Sequence, residues 1–173
     1  ESTRFISQPK LDGSALSLEY RKGRLVRAAT RGSGDRGEDV TKNARKVENV
    51  PNRLGAGVDV HIRGEVVMRK SVFEEKYQEI SPNPRNLAAG ALRQKKSDGK
   101  ADASDLVFLA YDAKFPPEHA RHPDSILPPS DAYDSQILEW LSKIAGVEPA
   151  PWVVHTSATE DASIVSLCQE TEK

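Results

Sequence analysis

Lys10 is the side chain of this sequence with the clearest potential to act as a nucleophile. It stands two residues before Asp12 and Gly13, and an alternating apolar run follows at residues 14–20. A tight loop between two strands would hold the lysine on a rigid support. A lysine amine attacks an electrophile once it has lost its proton, and its surroundings decide how easily it does so. The same residues also fit a solvated lysine beside an ordinary turn.

A glycine-rich loop at residues 32–37 is a second candidate, because three of its six residues are glycine. Arg31 leads into this loop and Arg36 lies within it. Glycine lets backbone N–H groups come close to a phosphate, and the two arginines add positive charge. The loop lacks the Gly-Lys-Ser/Thr ending of a P-loop, so no Walker-type site is predicted. A flexible hairpin tip is an equally good interpretation of these residues alone.

Glu65 and a pair of arginines are further candidates. Glu65 follows Gly64 inside a predicted strand at residues 58–68, and a glycine in a strand often marks a bulge or the close approach of a ligand. Glu65 is therefore either a surface acid or a carboxylate aimed into a site. Arg85 and Arg93 lie a little over two helical turns apart, so they could line one face and bind phosphates. Two ordinary helix-surface arginines would have the same spacing.

Apolar periodicity and turn residues predict the elements that must position these side chains. Strands are predicted at residues 5–6, 14–20, 25–31, 58–68, 106–111 and 152–155, with the run at 106–111 buried on both faces. Helices are predicted at residues 38–45, 70–80, 87–94 and 135–144, and a last one begins at 159. A proline-rich segment, residues 114–131, is predicted to be a loop. Its acid and two histidines (Glu118, His119 and His122) lack the spacing of a metal site.

Composition limits the class of protein. The chain has 173 residues, 37% apolar and 29% charged, which is typical of one soluble globular domain. No apolar run approaches the roughly 20 residues of a membrane span, and the single cysteine, Cys168, cannot form an internal disulfide. Residues 1–100 carry 21 Lys and Arg against 13 Asp and Glu, whereas residues 101–173 carry 4 against 13. The basic part indicates a polyanionic partner, although two solvated surfaces can also differ in this way.

Six stretches, in order and in register, resemble the adenylation domain of bacterial NAD-dependent DNA ligases. They lie at residues 10–13 (Lys-Leu-Asp-Gly), 28–34 (Ala-Ala-Thr-Arg-Gly-Ser-Gly), 37–43 (Gly-Glu-Asp-Val-Thr-Lys-Asn), 63–66 (Arg-Gly-Glu-Val), 83–90 (Asn-Pro-Arg-Asn-Leu-Ala-Ala-Gly) and 92–94 (Leu-Arg-Gln). Residues 106–173 resemble the continuation of that domain more loosely. The resemblance implies one partial adenylation domain over residues 1–173. Its fold is expected to be α+β, a nucleotidyltransferase (ATP-grasp-like ligase) fold with antiparallel sheets flanked by short helices, incomplete at both ends.

The resemblance also implies a covalent nucleotidyltransferase that uses NAD and magnesium. Lys10 would attack the α-phosphate of NAD, release nicotinamide mononucleotide and hold AMP as a phosphoramidate. AMP would then pass to the 5′-phosphate at a DNA nick, and the adjacent 3′-hydroxyl would displace it. Magnesium would bridge phosphate oxygens, and no residue is assigned to a metal site.

Individual roles follow from the same resemblance. Lys10 and Asp12 would be catalytic, with Asp12 orienting the site. Arg85 and Arg93 would contact phosphates of AMP or DNA. The residues expected to bind the nucleotide are Gln8, Lys10, Leu11, Gly13, Arg31 and Glu65, the last of them at the ribose.

Two departures from the family pattern bear on activity. Gln8 stands where most of the family has a glutamate that accepts a hydrogen bond from the adenine amine, so charge assistance of about 1 kcal/mol is lost. The family's two later lysine motifs, its region for nicotinamide mononucleotide and its DNA-encircling domains have no counterpart in the sequence. We therefore expect a piece of a bacterial ligase that acts as a monomer on nicked duplex DNA in the cytoplasm, associated with the nucleoid. The piece alone is expected not to seal nicks.

Two other functions stay open. A non-catalytic, ligase-like nucleic-acid-binding domain is favoured by Gln8 and by the missing motifs. The second alternative is another member of the ligase superfamily, an ATP-dependent DNA or RNA ligase. The stretches at residues 83–86 and 92–94 argue against it, because they resemble the NAD branch specifically. The sequence does not indicate a membrane partner.

Overall fold

The computed structural model describes residues 5–32, 37–95, 100–116, 127–128 and 132–155. Its strands are β1 (Phe5–Ser7), β2 (Ser14–Arg21), β3 (Arg24–Thr30), β4 (Val60–Met68), β5 (Leu106–Lys114) and β6 (Val153–His155). Its helices are α1 (Thr41–Ala44), α2 (Lys70–Lys76), α3 (Pro84–Arg93) and α4 (Asp134–Trp140). The predicted helix from residue 159, part of the glycine-rich loop and most of the proline-rich segment lie outside the described residues.

The central sheet has four antiparallel strands in the order β3–β2–β4–β5. Every second residue of β4 is buried, as expected for a strand with one face on the core. The β2–β3 hairpin turns at Lys22 and Gly23, whose φ angles are 49° and 72°. Two consecutive positive φ angles give the turn whose twist matches that of the flanking strands.

One hydrophobic cluster joins the sheet to the helices. Its largest fully buried side chains include Tyr20, Phe108, Leu18 and Ile62. The helix α3 packs against β4 and β2, α1 packs against β3 and α3, and α4 packs against β5. The other face of the sheet is only partly covered, and it carries the candidate site.

A separate two-stranded sheet pairs β1 with β6. In its register Phe5 lies opposite His155 and Ser7 lies opposite Val153. The Ser7 hydroxyl and the buried His155 ring are joined by a hydrogen bond of 2.7 Å between Oγ and Nε2. The pairing therefore ties the strand directly before the Lys10 segment to residues 148 positions later.

The α+β class, with antiparallel sheets and short helices, is confirmed. The predicted strands at 14–20, 58–68 and 152–155 are present with bounds that differ by one or two residues, and the hairpin turn is present as well. The helix α4 continues as a π-helical turn, Leu141–Ala145, and stops at Gly146, where φ is 70°. A left-handed residue at that position is the usual end of a helix.

Some predicted elements were wrong in detail. The strand β5 is not buried on both faces, because its burial alternates and Tyr111 is 40% exposed. The helix α1 starts at Thr41 rather than residue 38, since Asp39 lies before it and accepts a hydrogen bond from the Thr41 N–H at 3.0 Å. The helix α2 ends at Lys76 instead of residue 80.

The helix α3 begins at Pro84, three residues earlier than predicted. Asn83 is its N-cap, and its side-chain oxygen accepts hydrogen bonds from the N–H groups of Arg85 and Asn86. Proline suits the first helical position because its missing N–H needs no partner there. The Pro-Arg-Asn run is therefore a helix start and not a break, which places Arg85 in the first turn of α3.

Candidate active site

The Lys10 segment, residues 8–13, crosses from β1 to β2. Lys10 is exposed and Gly13 is buried. A Cβ atom added at Gly13 would lie 2.2 Å from the carbonyl oxygen of Val66. Glycine is therefore required for the segment to pass this close to β4, and that close passage brings Lys10 near the carboxylate of Glu65.

Arg85 and Asp12 form the ion pair at the entrance of the site. The Arg85 Nη1 donates a hydrogen bond to Asp12 Oδ1 at 3.0 Å, and both side chains are more than half exposed. The N-cap at Asn83 fixes the first turn of α3 and so holds Arg85 against the segment. An exposed pair of this kind contributes little to stability, so its interest lies in where it places two charges.

Glu65 connects these charges to the sheet. It lies on β4, on the face opposite the core, and its carboxylate accepts a hydrogen bond from the backbone N–H of Gly13. Burial raises the pKa of Glu65 above its ordinary value, while the Gly13 N–H and the cations of Arg85 and Lys10 act to lower it. The charge of Asp12 acts in the opposite direction. Four predicted site residues therefore lie within electrostatic reach of one another.

Of the two interpretations of Gly64, a bulge or the close approach of a ligand, the structure has a β-bulge at this position, beside Glu65. In the β4–β5 register Arg63 pairs with Asp112 and Gly64 pairs with Ala110, which leaves Tyr111 as the extra residue of β5. A Cβ atom at Gly64 would lie 2.4 Å from the carbonyl oxygen of Leu109, so only glycine fits. Bulges re-aim the side chain of the extra residue and are frequent beside active sites.

A pocket of about 450 Å³ opens on the same face of the sheet. Small side chains form part of its lining, together with two guanidinium groups and one phenol ring: Ala15, Leu16, Ser17, Ala29, Thr30, Arg31, Arg63 and Tyr111. Burial raises the pKa of Tyr111 above its ordinary value of 10.0, and the charge of Glu65 raises it further. The pocket can take a flat ring against Tyr111 and an anionic group against the arginines.

The pocket and the Lys10 cluster are adjacent and not identical. Lys10 and Asp12 do not line the pocket. Glu65 is the link, because its charge acts on Tyr111 and the charges of Lys10 and Arg85 act on Glu65.

The remaining predicted residues are placed differently. Arg31 directly follows β3 and lines the pocket. Gln8 is exposed and Leu11 is partly buried, both in the Lys10 segment. Arg93 is not brought to the cluster, because it lies at the other end of α3 and its Nε is 2.9 Å from Glu38 Oε2.

Two site residues were missed from the sequence, Tyr111 and Arg63. Tyr111 lies in an apolar run that resembled a fully buried strand, although it falls on the same outward face as Val107 and Leu109. Arg63 precedes Gly64 in the Arg-Gly-Glu stretch, and its guanidinium is 3.9 Å from the Asp112 carboxylate. An arginine two residues before a candidate acid on a strand was the available signal, since alternate strand residues share a face.

Metal ligands are few among the described residues. They contain no group of three or more His, Cys, Asp or Glu side chains arranged to hold an ion. The site offers two carboxylates, Asp12 and Glu65. That set fits magnesium, which commonly takes one or two carboxylates and completes its shell with phosphate oxygens and water. In the same part of the chain, no helix has the length and apolar character to cross a bilayer.

Comparison with known proteins identifies the family. The family model for the NAD-dependent DNA ligase adenylation domain matches residues 1–147. A DNA ligase of Rhizobium etli (strain CIAT 652) is 48% identical over 121 residues, covering 64% of this chain and 17% of the relative. A DNA ligase of Rhodopseudomonas palustris (strain TIE-1) is 41% identical over 169 residues, covering 91% and 22%. A DNA ligase of Natranaerobius thermophilus is 44% identical over 119 residues, covering 64% and 18%.

The chain spans about a fifth of the length of these relatives. The family model, in contrast, covers most of the chain and includes every residue of the candidate site. The cluster around Lys10 therefore lies inside the matched region. The chain belongs to the family of NAD-dependent DNA ligase adenylation domains.

Proposed function

We propose that this chain carries the AMP-accepting centre of an NAD-dependent DNA ligase, with Lys10 as the nucleophile. The supporting observation is the approach of Lys10, Asp12 and Arg85 to one half-buried carboxylate, Glu65, beside a pocket large enough for a nucleotide. Family membership supports the same reaction class. The fold is proposed to be the nucleotidyltransferase fold, which agrees with the observed α+β class.

Lys10 supplies the bond-forming atom. Its neutral Nζ attacks the α-phosphorus of NAD, so that a P–N bond forms, the P–O bond to nicotinamide mononucleotide breaks and the amine proton passes to solvent. An oxygen of the DNA 5′-phosphate then attacks the same phosphorus, and the P–N bond breaks to return the lysine amine. The 3′-hydroxyl finally attacks the 5′-phosphate and AMP leaves.

Neighbouring residues position the nucleotide. The Gly13 N–H orients the Glu65 carboxylate, which is suited to accept hydrogen bonds from the ribose hydroxyls. Tyr111 offers its ring to the base, and Arg31 and Arg63 offer donors to acceptor groups in the pocket. Arg85 adds positive charge near the place where phosphoryl charge develops. Asp12 is held by Arg85 within the segment that carries Lys10.

Magnesium, when bound, would neutralise part of the phosphate charge. Asp12 and Glu65 are the carboxylates that would help to hold it. Gln8 is proposed to meet the adenine amine through its amide oxygen. This contact lacks a charged acceptor, so base recognition here is expected to be weaker by about 1 kcal/mol than with a glutamate.

Two experiments test the proposal. In the first, AMP is titrated into the isotope-labelled chain, and NMR shifts are expected at Ala15, Ala29 and Tyr111. The variant Tyr111→Leu should weaken AMP binding by about tenfold, which corresponds to about 1.4 kcal/mol of stacking. Tyr133→Leu is the matched control, because Tyr133 is 70% exposed and does not line the pocket. Equal effects of the two substitutions would contradict the pocket assignment.

The second experiment follows the covalent step. The chain is incubated with magnesium and NAD labelled in its adenylate group, and the protein is separated on a denaturing gel. Label on the chain is expected to be weak, and it should disappear with Lys10→Ala. An adduct that survives this substitution would exclude Lys10 as the nucleophile. Nick sealing by the 173 residues alone would contradict the proposal that the remaining domains of the ligase are needed.

A further inference from the structure

Arg63 and Asp112 form a pair of opposite charges directly beside Tyr111. They are partners in the β4–β5 register, and the skipped residue Tyr111 precedes Asp112 in the chain. The Arg63 Nη1 is 3.9 Å from Asp112 Oδ2, which is longer than a hydrogen bond. Among the described residues neither side chain makes a hydrogen bond, so the guanidinium can still donate and the carboxylate can still accept.

The pair belongs to one row of residues across the central sheet. Ala29 on β3, Ser17 on β2, Arg63 on β4 and Asp112 on β5 are successive partners in this row. The first three line the pocket of about 450 Å³, and Asp112 continues the row beyond the lining. Because Ala29 and Ser17 are small, the floor beside Arg63 leaves room for a flat ring.

The position of the pair along β4 suits the base end of a bound nucleotide. Glu65 and Arg63 are two residues apart, so they share a face and lie about 7 Å apart along the strand. The charge of Lys10 acts on Glu65, and the charges of Glu65, Arg63 and Asp112 act on the Tyr111 phenol. A nucleotide with its phosphate at Lys10 and its ribose at Glu65 therefore carries its base toward Tyr111 and the pair.

A donor beside an acceptor matches the edge of two kinds of purine. Adenine presents an amine at position 6 and the acceptor N1, so the amine can donate to Asp112 while N1 accepts from Arg63. A 6-oxopurine such as hypoxanthine presents the acceptor O6 and an N1–H donor. Its O6 can accept from Arg63 while its N1–H donates to Asp112, so the same two side chains satisfy both edges.

Gln8 does not discriminate between these bases either. Its amide carries both an acceptor and donors, and the residue is exposed, so the amide can turn to meet an amine or an O6. A glutamate at this position would offer only acceptors and would face O6 without a hydrogen bond. A site rejects a ligand strongly only where binding leaves polar groups unpaired.

We propose that the base subsite accepts 6-oxopurines as well as adenine, and that Arg63 and Asp112 are the residues that read the edge of the base. This inference rests on the proposed function. It extends the substrate class to a nicotinamide dinucleotide that carries hypoxanthine in place of adenine. The bonds made and broken at the α-phosphorus are the same for both substrates, because the base takes no part in the reaction.

The test compares AMP with inosine monophosphate (IMP), which differs from AMP only at this edge, by NMR titration of the isotope-labelled chain. In the parent chain the two Kd values should agree within about fivefold, since both bases make the same number of hydrogen bonds. Asp112→Lys leaves two donors and should shift the ratio of the Kd values toward IMP by at least about fivefold. Arg63→Glu leaves two acceptors and should shift it toward AMP by a similar factor.

The ratio of the two Kd values is the readout because a change in folding or in net charge affects both nucleotides alike. Arg69→Glu and Glu75→Lys are the matched controls. Both residues are exposed on or beside α2, lie outside the pocket lining and change the net charge by the same amounts as the pair variants. The ratio should keep its parent value in both controls.

Three results would overturn the inference. They are parent Kd values that differ by more than about fivefold, a ratio that moves equally in the pair variants and the controls, and a ratio that the pair variants leave unchanged. In the last case, a ratio that Gln8→Glu alone shifts toward AMP would assign the reading of the base to Gln8. Any of these results with AMP-induced shifts at Tyr111 overturns this inference alone, whereas the absence of such shifts with either nucleotide overturns the proposed pocket as well.

Discussion

The carboxylate of Asp12 and the guanidinium of Arg85 are joined by a hydrogen bond of 3.0 Å although they lie 73 residues apart in the chain. The contact joins the start of α3 to the segment that carries Lys10. It also places one anion and one cation beside Glu65, whose pKa responds to both. The pKa of Glu65 can therefore be measured to find out whether these charged groups are assembled around it.

The first prediction concerns the pKa of Glu65. Arg85→Gln and Lys10→Met should each raise the pKa of Glu65, because each removes a cation that lowers it, and Asp12→Asn should lower it. A pH titration of the Glu65 carboxyl carbon by NMR measures all three. Lys143→Gln is the control, since its charge does not act on Glu65. If the three site variants titrate like the control, the cluster does not form in solution.

The second prediction concerns stability and pH. Burial raises the pKa of Glu65 above 4.5, so between that value and the raised one the folded chain binds more protons than the unfolded chain. The contribution of Glu65 to stability is full below pH 4.5 and is lost as the pH rises through the raised pKa. Glu65→Gln should therefore be more stable than the parent at neutral pH, with the difference shrinking toward acid.

Urea unfolding at several pH values checks this second prediction. Glu74→Gln serves as the control, because Glu74 is an exposed acid on α2 and should change stability by less than about 0.5 kcal/mol. A gain in Glu65→Gln that is the same at every pH would point to some cause other than titration.

The third prediction compares two glycines. Gly64→Ala should destabilise the chain by about 1–3 kcal/mol or more, since its Cβ would lie 2.4 Å from the Leu109 carbonyl oxygen and 2.5 Å from the Phe108 ring. Gly90→Ala should stabilise it by about 0.5–1 kcal/mol, because a Cβ on this α3 residue meets nothing within 4 Å. Thermal and urea unfolding measure both, and equal effects would argue against the close β4–β5 approach at the bulge.

The fourth prediction concerns the helix cap that positions Arg85. Asn83→Ala should cost about 1 kcal/mol, because two N–H groups at the start of α3 lose their acceptor. Asn86→Ala lies in the same turn, donates only its backbone N–H to the cap and should change stability by less than about 0.5 kcal/mol. The loss of the cap should also weaken the Asp12–Arg85 contact, which the Glu65 titration would detect as a raised pKa.

Features that depend on a few neighbouring residues could be predicted from the sequence. Gly64 indicated a bulge or the close approach of a ligand, because glycine inside a strand often marks one of the two, and Gly23 indicated the hairpin turn. The alternation in β2 and β4 predicted which residues face the core. The nature of the Lys10 segment, a short crossing between two strands, followed from the runs on either side.

Relationships across the sheet could not be predicted in the same way. Tyr111 is the residue that the β4–β5 register skips, and the pairs on either side of it join residues more than 40 positions apart. The partner of Arg93 is Glu38, from a segment remote in sequence, and helix spacing alone suggested a site shared with Arg85. Burial on both faces was inferred for β5 because its apolar run does not reveal that one side borders a pocket.

The pairing of β1 with β6 has a consequence for the order in which the molecule assembles. These two strands contain three residues each and meet only after nearly the whole described chain has been closed into one loop. Closing so long a loop is costly in entropy, and two short strands gain little in return. We therefore expect the sheet that anchors the Lys10 segment to be the last part to form and the first to open, so that the position of Lys10 depends on residues about 150 positions away.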